Sequence, residues 1–125
     1  VTEFSFTIEG RPATWQRTNH VLQGKRLIRK TPKKAREAKR RVHMSAWQAR
    51  PRGWPLDAEY EVVTVGYWPD RRYGDVDRLS SLVMDGLEGV LYAQDRQVVA
   101  QSSRRYLDKE HPRTEVTVRV LEGDE

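Results

Sequence analysis

Apolar and polar residues alternate over Glu3–Glu9 (EFSFTIE), with Phe4, Phe6 and Ile8 on one side, and this period of two predicts a half-buried strand. Gly10 and Pro12 end it. Residues 13–24 read as a loop, and 25–30 (KRLIRK) as a short, very basic strand. Thr31-Pro32 predicts a helix start, with Thr as N-cap and Pro at the first helical position, where its missing N–H costs nothing. That helix runs to about Gln48 or Arg50, closed by Pro51 and Gly53, along a seam of Ala35, Ala38, Val42, Ala46 and Ala49. The strongest strand pattern is 59–68 (EYEVVTVGYW). Val62 lies on one face and Val63 and Val65 on the other, so a central strand covered on both faces is expected. After a break at 69–74, Leu79, Leu82, Val83, Gly86 and Leu87 recur with helical spacing and predict a second helix over 76–88, with Gly89 near its C-cap. Residues 97–106 and 115–121 alternate as two more strands. The order β(β)αβαββ predicts an α+β fold, a single small domain over residues 1–125 with a mixed β-sheet and two main helices. Residues 122–125 read as a frayed acidic tail.

With 125 residues, of which 37% are hydrophobic and 33% charged, there is room for one modest core under a heavily ionised surface. The formal charge of +5 conceals a split. Residues 11–54 carry 14 Lys and Arg against one acid, Glu37, a net of +13, while the remainder carries 9 basic and 17 acidic residues, a net of −8. A one-sign excess over a whole region is suited to a polyanion such as nucleic acid. Lys33, Lys34, Arg36, Lys39, Arg40 and Arg41 are the candidate backbone-gripping residues. Cations in the first half of a helix oppose its macrodipole, so stability does not account for them.

Other classes are excluded. Uncharged stretches are far shorter than the roughly 20 apolar residues of a membrane-spanning helix, and no secretory signal pattern opens the chain. Zero cysteines exclude disulfides, thiolate metal sites and a thiol nucleophile, and fit a reducing cytoplasm. His20, His43 and His111 lack metal-ligand spacing. There is no serine-nucleophile elbow and no phosphate-cradling glycine loop.

The candidate chemistry is acidic. Asp75 and Asp77 stand where the central strand gives way to the second helix, and Asp95 lies in the following loop, which folding can bring back beside the same helix start. Asp77, Ser81 and Asp85 share the helix face opposite the leucine stripe. Carboxylates gathered near a positive surface suit Mg²⁺, a hard cation that also bridges to phosphates. The structural alternative is that Asp75 or Asp77 simply caps the helix. Trp15, Trp47, Trp54 and Tyr73 can stack on opened bases, which leaves an RNA-binding domain as a further reading. Trp47 is expected to pack beneath the basic helix.

Residues 74–79 (GDVDRL) and 84–98 (MDGLEGVLYAQDRQV) resemble the RusA-type Holliday junction resolvases, small endonucleases common in bacteriophages and prophages. Their pattern is Asp-x-Asp-Asn-Leu, a Leu-Asp-Ala-Leu-Asn-Gly-like helix end, then Tyr-x-Asp-Asp-x-Gln-Val. The resemblance implies that Asp75, Asp77 and Asp95 are the catalytic, Mg²⁺-binding aspartates, with Asp85 matching the helix aspartate and Gln97 the following glutamine. It implies a Mg²⁺-dependent homodimer that cuts four-way DNA junctions in the cytoplasm of a bacterial or phage-infected cell, with no membrane and no small-molecule cofactor. Three positions depart from the pattern. Ser81 replaces an essential lysine, Arg78 replaces the asparagine, and Gln94 replaces the first paired acid. Arg78 and Arg96 are candidates for the missing charge. A non-catalytic DNA-junction or duplex-binding module is the alternative if the change at Ser81 has weakened the site.

Overall fold

The computed structural model describes residues 2–13, 19–23, 26–30 and 33–121. Strand β1 (Glu3–Glu9) is followed by β2 (Asn19–Gln23), β3 (Arg26–Lys30), helix α1 (Lys33–Ala49), β4 (Glu59–Trp68), helix α2 (Val76–Leu87), β5 (Val98–Leu107) and β6 (Arg113–Leu121). The four-stranded sheet has the order β1-β6-β4-β5, with β4 and β5 parallel and the other pairs antiparallel. The mixed α+β architecture and the positions of both helices agree with the periodicity. The region expected to be a loop at 13–24 contains β2, which pairs with β3 as a separate hairpin. Its sequence NHVLQ has no alternation to betray a strand. The Thr31-Pro32 cap and the acidic tail lie outside the described residues.

Both helices cover one face of the sheet. Phe6 and Ile8 of β1, Tyr60, Val62 and Trp68 of β4 and Val116 and Val118 of β6 form a single buried cluster with Val42, Ala46, Leu79, Val83 and Leu87 of the helices. Burying each large apolar side chain stabilises the fold by about 1.5–3 kcal/mol. Strand β4 is central, but Val63 and Val65 on its second face are only half-buried, so its cover is less complete than the valine pattern suggests.

The helices cross closely at Gly86. A Cβ there would lie 2.7 Å from Val42 Cβ and 3.0 Å from the Lys39 carbonyl, so glycine is what permits the approach. Because β4 and β5 are parallel, α2 is the crossover that returns the chain to the start of the sheet. Val98 of β5 begins beside Tyr60 of β4, at the end of the sheet where α2 terminates.

Candidate active site

The loop between β4 and α2 is fastened by Asp70. It accepts from the Arg72 backbone N–H at 3.0 Å and pairs with Arg11 at 2.5 Å. Those cationic and amide partners hold the Asp70 carboxyl down at about 2. Five residues on, Asp75 is the N-cap of α2, its Oδ1 accepting from the Asp77 N–H at 2.9 Å. The capping alternative therefore holds for Asp75. Asp77 is exposed in the first turn, a place the macrodipole favours for an acid.

Asp77, Ser81 and Asp85 follow one another along α2, and eight residues separate the first from the last, about 12 Å along the axis. At the far end, carboxylate oxygens of Asp85, Glu88 and Asp95 lie within 4.8 Å of one another. Among the described residues this is the one such acidic group, and Asp75 and Asp77 do not belong to it. Asp95 thus joins the end of α2 rather than its start, because the parallel return of β5 begins at the opposite end of the helix. A hollow of about 340 Å³ opens here, lined by Ser81, Met84, Asp85, Asp95 and Gln101.

Local structure explains how Asp95 is held. Gly89, at φ 85°, turns the chain after the helix, and its N–H donates to the Tyr92 carbonyl at 2.7 Å. Tyr92 is fully buried and its hydroxyl donates to the Met84 carbonyl at 2.7 Å. Gln97 then clamps the short 3₁₀ turn at Asp95–Gln97. Its Oε1 accepts from the Ala93 and Gln94 N–H groups, and its Nε2 donates to the Leu56 and Ala58 carbonyls, all at 2.9 Å. All four of these bonds go to backbone groups, so the Gln97 side chain fixes the turn that carries Asp95.

Three carboxylates this close repel one another. Burial, with Glu88 and Asp85 adding to it, pushes the Asp95 carboxyl above its ordinary value, while Lys39 opposes the shift. Lys39 reaches across from α1, its Nζ 3.1 Å from Asp85 Oδ2. Of the basic helix residues, Lys39 is therefore turned to the acids. Lys34, Arg36 and Arg40 are exposed, Lys33 faces Glu37 at 3.9 Å, and Arg41 donates to the Glu9 carbonyl at 2.5 Å. Arg78 is exposed on the first turn of α2. Arg96 lines a neighbouring hollow with Gln94 and Leu56, away from the one that Asp95 lines. The three oxygen donors fit a hard divalent cation.

Trp47 does not pack under α1. It is 54% exposed, with the Arg50 guanidinium 4.4 Å over its ring. The buried seam is Ala35, Val42 and Ala46, and residue 47 lies about 100° further round. Sequence reasoning missed Glu88 and the inward turn of Lys39. The spacing Asp85-x-x-Glu88 at a helix C-terminus, where acids oppose the macrodipole, was the available signal.

A family model for the endodeoxyribonuclease RusA matches residues 9–119 of the 125. A search of curated proteins finds no match. The matched span takes in the acidic loops, the basic helix, β4, β5 and β6 up to Arg119, leaving out β1 but for Glu9, and the chain belongs to the RusA endodeoxyribonuclease family.

Proposed function

We propose that this protein is a Mg²⁺-dependent endonuclease that hydrolyses phosphodiester bonds at four-way DNA junctions, acting as a homodimer in the cytoplasm of a bacterial or phage-infected cell. The observation that carries the reading is the Asp85/Glu88/Asp95 carboxylate group beside a cationic helix, in a chain of an endodeoxyribonuclease family. The resemblance adds Asp75 and Asp77 to Asp95 as the metal-holding set, and Asp95 is common to both. When bound, the metal neutralises charge on the phosphate and activates water. Asp95 holds the metal, Gln97 fixes the turn that carries Asp95, and Lys39 supplies a cation at the site where the family lysine is replaced by Ser81. The outward cations Lys33, Lys34, Arg36, Arg40 and Arg41 grip the phosphate backbone, which supplies affinity without sequence information. A two-fold dimer offers two such sites to a junction of matching symmetry.

The test is cleavage of a synthetic four-way junction in Mg²⁺, beside the same reaction in EDTA and with Asp77→Asn. Cleavage confined to the first is expected, and equal cleavage in all three would end the proposal. Ser81 favours a second reading, a junction-binding module that does not cut. Tight, salt-sensitive binding without cleavage in any metal would establish it.

A further inference from the structure

The turn that carries Glu88 has a second neighbour. Arg50 Nη1 donates to the Val90 carbonyl at 3.0 Å, and Trp54 Nε1 donates to the Leu91 carbonyl at 3.1 Å. These contacts bring the end of α1 against the turn, two residues from an acid of the candidate site. Arg50 and Trp54 also line a hollow of about 430 Å³, within the range of small-ligand pockets. Trp54, only 7% exposed and stacked on Tyr60, forms its floor. Trp47, Arg50, Arg52 and Leu56 form its walls, and among the described residues no acid lines it. Leu56 is 44% exposed, so the hollow has an apolar, solvent-facing side as well as a cationic one.

From this arrangement we infer that the hollow takes an unpaired base of the DNA, stacked on Trp47, with Arg50 and Arg52 meeting its flanking phosphates. The chemistry is complementary in both parts. Every base has a π-face that stacks on an indole, and guanidinium groups add cation–π attraction and phosphate contacts. Trp47 is suited because Arg50 already holds its ring in place from one side, which lowers the ordering cost of stacking. Among the described residues, the other stacking candidates are engaged: Trp54 is committed to the core and Tyr73 packs edge-on to Trp68 beneath Arg105, while Trp15 lies outside the described residues. The inference rests on DNA being the partner: every base of an intact four-way junction is paired, so the base that enters the hollow is one opened at the branch point, which the inference sets against the face beside Glu88.

Binding of an oligothymidylate strand and of an abasic strand of equal length, both in EDTA, tests it. Trp47→Ala is expected to weaken oligothymidylate binding about ten-fold and to leave abasic-strand binding unchanged. Trp47→Phe is expected to retain most of the affinity, since it keeps an aromatic face. Arg52→Ala is expected to weaken both strands and lower the salt slope by about one. Equal effects of Trp47→Ala on the two strands, or none on either, would overturn the base-stacking site. Wild-type protein that binds DNA but never cuts would defeat the nuclease reading and leave this test intact. Wild-type protein that binds neither strand would overturn this inference directly.

Discussion

At the start of α2, Asp75 satisfies an orphan N–H and Asp77 sits in the turn where the macrodipole favours negative charge. At its end, Asp85 and Glu88 stand where the macrodipole disfavours it, with Asp95 pressed against both. A cap is worth about 1 kcal/mol, and an acid in the first turn about 0.3–1 kcal/mol. The first pair thus has a sufficient explanation in stability alone. The second group has none. It costs stability through the dipole and through mutual repulsion, and among the described residues Lys39 is the cation that opposes it. The contrast teaches that acids of equal formal charge on one helix carry different information, and that position on the helix separates them.

The widest separation between the two ends is expected in cleavage. Asp95→Asn removes the residue common to both sets and is expected to lower junction cleavage at least about a hundred-fold, read as initial rate in Mg²⁺. Asp75 allows a cleaner division, because Asn caps a helix as well as Asp does. Asp75→Asn is expected to lose cleavage while melting as wild type, whereas Asp75→Ala loses cleavage and about 1 kcal/mol of stability. If Asp75→Asn cuts normally, Asp75 is a cap and nothing more, and the site contracts to the far end of the helix.

Gly86→Ala tests how the far end is assembled. Alanine improves helix propensity by about 1 kcal/mol, but the new Cβ meets Val42 at 2.7 Å and backbone at 3.0 Å. Overpacking of this kind costs about 1–3 kcal/mol. A net loss of about 1 kcal/mol in urea unfolding is expected, together with separation of Lys39 from Asp85.

Much of this arrangement was legible in the chain. The seams of α1 and α2 and the alternation in β1 and β6 each repeat over several turns or pleats, so the pattern outweighs any single residue. Asp75, Asp77 and Asp95 were visible as a motif. What the chain could not show was which end of α2 Asp95 would meet, because that follows from β5 pairing parallel to β4, a contact between residues far apart in sequence. Trp47 misled for a local reason. One residue's rotation from Ala46 carries it from the seam to solvent, and an indole counted simply as hydrophobic hides that step.

Lys39→Ala gives a smaller effect with two opposite signs. Both partners of the Lys39–Asp85 pair are more than a third exposed, so its worth is at most about 1 kcal/mol. Removing the ammonium leaves Asp85 free for metal, and Mn²⁺ binding by titration calorimetry is expected to tighten about two- to five-fold. Cleavage is expected to fall, because the phosphate loses a cation. A residue that only supported the helix crossing would move both quantities in the same direction.

The smallest effect is on stability against pH in EDTA. The Asp95 carboxyl is raised in the folded chain by burial and by Glu88, so the folded state holds this proton more tightly than the unfolded chain does. Between the ordinary carboxylate value and the raised one, folding therefore takes up a proton, and stability declines as pH rises through that window. Asp70 and Asp108 have the opposite sign. Both are lowered by arginine and backbone partners, so the stability they contribute is present above the ordinary value and lost as pH falls, for Asp70 towards about 2. The two windows meet at the ordinary carboxylate value and lie on opposite sides of it, and stability slopes in opposite directions across them. Asp95→Asn is expected to flatten the upper window and leave the lower one unchanged. Asp77→Asn, at the start of α2 where the fold accommodates negative charge, is expected to leave the upper window in place.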